Sequence, residues 1–205
     1  MSIKFLLAIF IFVFVNQACN LNVNRAIRKV NMQASTNKNS NSYYNGLLKR
    51  NELIIGFTGF NASGIQLSSV YYVMTFKDNN ATAYRLEIPH IISNQTSMTI
   101  TDSIPVTKES AQKVLRIFRH LAGWDLNYND TENDNADEYC LKLTGKQCII
   151  TDGLTYELSI LTKTSSTLSK LYAPERYEKK CCSGNVNRVK FLIIKNTMDD
   201  LFAKN

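Results

Sequence analysis

The sequence predicts an α+β fold: an antiparallel sheet of about six or seven strands, packed by two amphipathic helices and held by disulfides. Three observations carry this. Apolar residues alternate over Val70–Phe76 and Leu154–Ile160, the period of a half-buried strand. They recur three and four apart over Ala111–Ala122, the period of a buried helix stripe. Four of the five cysteines fall between Cys140 and Cys182.

The chain opens with a basic Lys4 and an apolar run, Phe5–Val15. That run is too short for a bilayer, which takes about 20 residues, and has the layout of a secretory signal peptide. Ala18 is the best small residue before a cut, although Asn16 departs from the usual preference at that distance. Residues 1–18 are therefore read as signal, 19–45 as a polar tether or flexible lead-in, and 46–205 as a single domain. A cut after Ala18 makes Cys19 the first residue, and Asn16-Gln-Ala-Cys19 has the ending of a lipoprotein signal. Cys19 is the lipidation candidate; otherwise it is merely the end of the signal. With Cys19 set apart, four cysteines remain, an even number that suits an oxidising compartment. After Cys19 the chain is Asn- and Ser-rich, and Ile27 and Val30 predict a short helical turn at most.

Taken in order, Leu53–Phe57 is an apolar run punctuated by Gly56, Gly59 and Gly64, which reads as a strand followed by a turn. Gln66–Phe76 and Ala81–Ile88 form a hairpin across Lys77-Asp-Asn-Asn80, because Asn and Asp tolerate positive φ. Ser97–Thr101 is a further short strand. Pro105–Gly123 is the best helix: Thr107 is its N-cap, Glu109 suits the first turn, and Gly123 stops it. Trp124 then seals the helix exit against the sheet. Asp125–Glu138 has no periodicity and reads as an exposed loop. Tyr139–Leu143, Gln147–Thr151, Leu154–Ile160 and Leu168–Tyr172 read as strands, with Asp152-Gly153 as a tight hairpin turn. Asn187 caps a last helix whose apolar face is Val189, Leu192, Ile193, Thr197, Met198, Leu201 and Phe202.

The segment Asp152-Gly153-Leu154-Thr155-Tyr156-Glu157, with Pro174 and the terminal helix Met198–Phe202, resembles a diffuse group of uncharacterised bacterial secreted proteins and lipoproteins. The resemblance covers about the last quarter of the chain. It implies export and this type of fold, and no chemistry, since hairpin physics alone produces an Asp-Gly turn before an aromatic strand.

The net charge is +7, from 24 Lys and Arg against 17 Asp and Glu. The basic residues are scattered and no Arg-rich, aromatic-interleaved stripe occurs, so nucleic acid is not expected as a partner. Cys140, Cys148, Cys181 and Cys182 have neither zinc nor Cys-x-x-Cys redox spacing. Adjacent cysteines bridge each other only with strain. Cys140 and Cys148 are therefore each expected to pair with one of Cys181 and Cys182, in either order. His90 and His120 lack companions at triad or metal spacing. Asp130, Glu132 and Asp134 imitate the start of a calcium loop, but Asn135 and Leu141 stand where it requires Gly and Glu. Asn61, Asn80, Asn94 and Asn129 begin Asn-x-Ser/Thr sequons, relevant only in a eukaryotic secretory pathway.

No catalytic, cofactor or metal site is expected. The reading is an exported protein of the cell envelope or exterior, with membrane attachment through Cys19, that binds an unidentified protein or envelope ligand through the sheet face or the loops near Tyr71 and Tyr84. One alternative is a hydrolase using carboxylates such as Asp152 and Glu157. Another is an immunity or effector protein.

Overall fold

The strand Leu53–Asn61 (β1) sits inside a six-stranded antiparallel sheet of order β4-β3-β2-β1-β5-β6. The other strands are Ser68–Lys77 (β2), Asn80–Pro89 (β3), Thr99–Pro105 (β4), Leu154–Thr162 (β5) and Ser166–Tyr172 (β6). The helices are Val23–Gln33 (α1), Asn45–Leu48 (α2), Lys108–His120 (α3), Ala136–Thr144 (α4), Pro174–Arg176 (α5), which runs into a π turn at Tyr177–Cys181, and Val186–Ala203 (α6). This computed structural model describes residues 23–33, 44–61, 68–78, 80–89, 99–121, 126, 136–151 and 153–203. Residues 1–18, expected to be a signal, lie outside them with Cys19, His90, Gly123, Trp124, Asp130, Glu132, Asp134 and Asp152, as do the sequons at Asn94 and Asn129.

The expected α+β architecture is what the chain adopts. Strand alternation gives the sheet two different faces. Leu53, Ile55 and Phe57 of β1 lie beside Phe76, Met74 and Tyr72 of β2, and beside Thr162, Ile160 and Leu158 of β5. This face carries the main core, closed by Val23, Ala26 and Val30 of α1, Ala111, Val114 and Phe118 of α3, and Phe191, Ile194 and Met198 of α6. On the opposite face Ile54, Val73, Leu86 and Leu161 pack under Tyr44 with Leu47 and Leu48. Tyr71 and Tyr84 are partly buried and pack against this second core.

The β2–β3 hairpin follows expectation: Lys77 pairs with Asn80, and Asp78 takes φ 49° in the turn. Helix α3 does too, with the Thr107 hydroxyl accepting from the Ser110 N–H at 3.2 Å. It ends at His120, ahead of the expected stop.

Four expectations need correction. The lead-in over 19–45 contains helix α1, whose Val23, Ala26, Ile27 and Val30 follow the i, i+3, i+4, i+7 rule and dock on the main core. The Thr162 hydroxyl donates to Asn31 Oδ1 at 2.7 Å and ties this helix to the end of β5. Strand β1 passes through Gly56 and Gly59 to Asn61. The strand expected at Tyr139–Leu143 is helix α4, and Gln147–Thr151 joins no strand. Finally, Asn185 caps α6, its Oδ1 accepting from the N–H groups of Asn187 and Arg188 at 3.1 Å each. The buried face of α6 is Arg188, Phe191, Ile194 and Met198, which leaves Val189 and Ile193 exposed.

Candidate functional site: the disulfide-bridged lobe

Beyond β6 the backbone turns sharply at Ala173, which takes the left-handed conformation (φ 43°, ψ 41°). Such a conformation is costly for a residue with a Cβ and persists where surrounding bonds fix it. Here the Ala173 N–H donates to the Leu154 carbonyl at 2.8 Å, and its own carbonyl accepts from the N–H groups of Arg176 and Tyr177 at 3.0 Å each. Pro174 follows at the first helical position, where a missing N–H costs nothing.

Gly153 makes this corner accessible. A Cβ there would stand 2.5 Å from the Ala173 Cβ and 2.9 Å from the Tyr172 ring, so only glycine lets the two segments meet. Its N–H donates to the Tyr172 hydroxyl at 2.8 Å, and that hydroxyl donates to the Ile150 carbonyl at 3.2 Å. Residues 147–151 form no strand, so Gly153 is a point of close approach instead of part of the expected hairpin turn, and the hairpin in this region is β5–β6.

The π turn closes with the Cys182 N–H on the Tyr177 carbonyl at 2.9 Å. Cys181 ends that turn and Cys182 is already extended (φ −153°, ψ 115°). The change of conformation sends two adjacent side chains in different directions, so each finds its own partner. Cys140 bonds to Cys182 and Cys148 to Cys181, with Cα atoms 5.4 and 5.7 Å apart. Each pair joins one cysteine of the 140–148 segment to one of the adjacent two, as expected, and the geometry supplies the order. Together the bridges clamp α4 and its following turn onto the π turn. Gly145, at φ 68°, ends α4, its N–H donating to the Leu141 carbonyl at 2.8 Å.

Arg188, on the first turn of α6, is the residue that sequence patterning missed. It is buried, and its Nη1 donates to the Cys182 carbonyl at 3.0 Å and to Glu178 Oε2 at 3.4 Å. The guanidinium lies over the rings of Tyr177 and Tyr139, 5.4 and 5.9 Å from their centroids. A planar cation with five donors can serve an ion pair, a carbonyl and two ring faces at once. Glu178 also accepts from the Gly184 N–H. The only hint in the sequence is the distance of Arg188 from the capping Asn185; apolar periodicity places it outside.

The outer surface of the lobe is different. Leu141, Leu143 and Ile149 are 47%, 59% and 74% exposed, although each lies one to three positions from a bridged cysteine. Lys146, Lys179 and Lys180 are exposed as well.

The carboxylate named for a hydrolase, Glu157, lies elsewhere, on the second sheet face. It is buried; Lys170 Nζ is 3.0 Å from its Oε2, and the Ser159 hydroxyl donates to its Oε1 at 3.5 Å. The ring of Tyr44 lies above Gly56, where any Cβ would clash with it. Burial, then the neighbouring Tyr71 and Glu157, hold the Tyr44 phenol well above the ordinary tyrosine range, against a hydrogen bond with Ser159. Each named polar group of this network has a partner, and the network locks α2 onto the sheet. His120 is exposed at the end of α3. Among the described residues, no group of three or more His, Cys, Asp or Glu stands close enough to hold a metal ion. Among them also, no helix is long and apolar enough to cross a membrane.

Fold and lobe together define an α+β domain whose antiparallel sheet is extended by a helical segment under two disulfides. Comparison with family models, with curated proteins and with solved structures gives no match.

Proposed function

We propose that this chain is an exported, non-catalytic binding module of the cell envelope, with Cys19 as its lipid-anchor candidate and the bridged lobe as its contact surface. The observation that carries the reading is the lobe itself. Two disulfides hold a short segment rigid while Leu141, Leu143 and Ile149 remain in water. A preordered apolar surface loses little conformational freedom on binding. Export is supported by the apolar Phe5–Val15 run, and by the pairing of all four cysteines after Cys19, which suits an oxidising compartment.

The hydrolase alternative gains no such support. Glu157 is engaged by Lys170 and Ser159, as a structural carboxylate would be.

The test is capture from the native envelope fraction with the full-length protein and with a Leu143→Asp/Ile149→Asp variant, beside a circular-dichroism check that both fold. The reading expects a ligand that the variant loses. Equal capture by both would overturn the lobe as the contact surface. Substrate turnover abolished by Glu157→Gln in a folded protein would overturn the non-catalytic reading.

A further inference from the structure

We infer that the bridged lobe docks on an anionic lipid surface, with Leu141, Leu143 and Ile149 entering the headgroup boundary and Lys146, Lys179 and Lys180 meeting the phosphates. The inference rests on the reading of the lobe as a contact surface and names what it contacts.

Placement comes first. Leu141 and Leu143 follow Cys140, Lys146 and Ile149 flank Cys148, and Lys179 and Lys180 precede Cys181. The bridges bring these three short segments together, with paired Cα atoms 5.4 and 5.7 Å apart. Residues far apart in sequence thus form one mixed apolar and cationic surface.

Charge is sorted within that surface. Glu178 is turned to Arg188 and the Gly184 N–H, and Glu175 to Lys195, whose Nζ is 3.2 Å from its Oε1. Lys146, Lys179 and Lys180 are exposed, on a chain whose net charge is +7. Asp137 and Glu138 stand at the opening of α4, so the positive charge of the lobe is that of Lys146, Lys179 and Lys180 on the segments that carry the bridges.

The residue types favour lipid over a protein partner. Protein hot spots are enriched in Trp, Tyr and Arg, whereas lysine is depleted at protein interfaces. In this lobe Tyr139 and Tyr177 are spent on the buried Arg188, and the large exposed apolar side chains are leucine and isoleucine, set among lysines and small polar residues. Aliphatic insertion beside lysines is the chemistry of a peripheral contact with an anionic bilayer, where each lysine near the surface strengthens binding about fivefold and salt weakens it.

The experiment is amide hydrogen exchange on the full-length protein with phosphatidylcholine vesicles, and with vesicles of phosphatidylcholine and phosphatidylglycerol. Exchange reports locally, so attachment through the N-terminus does not mimic the result. Protection over 139–151 and 179–183 is expected with the anionic vesicles only, and is lost at high salt. This protection should be lost in Leu143→Asp/Ile149→Asp and in Lys179→Glu/Lys180→Glu, each with an unchanged circular-dichroism spectrum. Equal protection by neutral vesicles, or unchanged protection in either variant, would overturn the inference. If vesicles do not protect the lobe but capture of an envelope protein depends on Leu143 and Ile149, lipid docking is overturned and the binding module stands. If neither occurs, both fall.

Discussion

Arg188 Nη1 donates to the main-chain carbonyl of Cys182 at 3.0 Å, so the last helix is fastened to the residue that carries the inner disulfide. Replacing Arg188 with methionine keeps much of the volume but removes the donor to the Cys182 carbonyl and to Glu178 Oε2. A hydrogen bond to a charged group is worth roughly 1.5–3 kcal/mol, and a loss of that size is expected in urea unfolding. Arg188→Lys should recover little of it, because a point charge cannot serve the carboxylate, the carbonyl and both rings together.

Tyr44, at the N-terminal edge of α2, and Gly56 of β1 form a matched pair. Gly56→Ala forces the ring off the sheet, and overpacking of this kind costs about 1–3 kcal/mol. In a Tyr44→Leu background the same glycine change should cost clearly less. Chemical denaturation of the four proteins of this cycle reads the coupling, and strict additivity would count against the contact.

Two tyrosines couple stability to alkaline pH. Burial, reinforced by the charge of Glu175, pushes the Tyr156 phenol up to about 12 from its ordinary 10.0, and Tyr44 is raised further. In the unfolded chain both ionise near 10.0, while in the folded chain they keep their protons. Their contribution is thus fully present below pH 10 and is lost as pH rises through the folded values. Lys195 acts in the same direction: burial alone would lower its pKa, but hydrogen bonds and charges from Asp199 and Glu175 outweigh that and raise it. Absorbance titration at 295 nm should show a class of tyrosines ionising only above pH 11, together with stability that declines from pH 10 upward.

The two disulfides differ in access. Cys140 and Cys182 are buried, whereas Cys148 and Cys181 are partly exposed. Exchange requires a thiolate to reach a sulfur, so limited reduction should open Cys148–Cys181 first. Mass spectrometry after stepwise reduction and alkylation checks the order. Cys140→Ser/Cys182→Ser should cost roughly 2–5 kcal/mol, the usual range for a native bridge.

Helix α3 and the β2–β3 hairpin were legible because their signals are local: a cap, a stripe of period 3.6, and an Asp-Asn turn. Helix α1 was equally local, with its four apolar positions in register, but it was read too short because an Asn-rich setting made it look like a tether. The segment 139–151 was misread for a different reason. Its alternation of Leu141 and Leu143 with polar neighbours imitates a strand, yet their side chains face water and the pattern reports no buried face. In α6 the apolar residues run nearly all round, so periodicity could not place the buried face, and Arg188 occupies a position that pattern assigns to solvent.

The sequence by itself determined the fold class, the Thr107 cap of α3, the β2–β3 turn and the partition of cysteines into two cross-segment pairs, since each depends on residue type and short spacing. The tertiary structure alone decided which cysteine meets which. The π turn and the extended Cys182 aim adjacent side chains apart, and no spacing rule contains that direction. It likewise decided that Gly153 is an approach point, that Arg188 is buried and that leucines beside the bridges stay exposed. Each of these depends on which distant surface arrives at a residue, and the tertiary packing of the chain sets that.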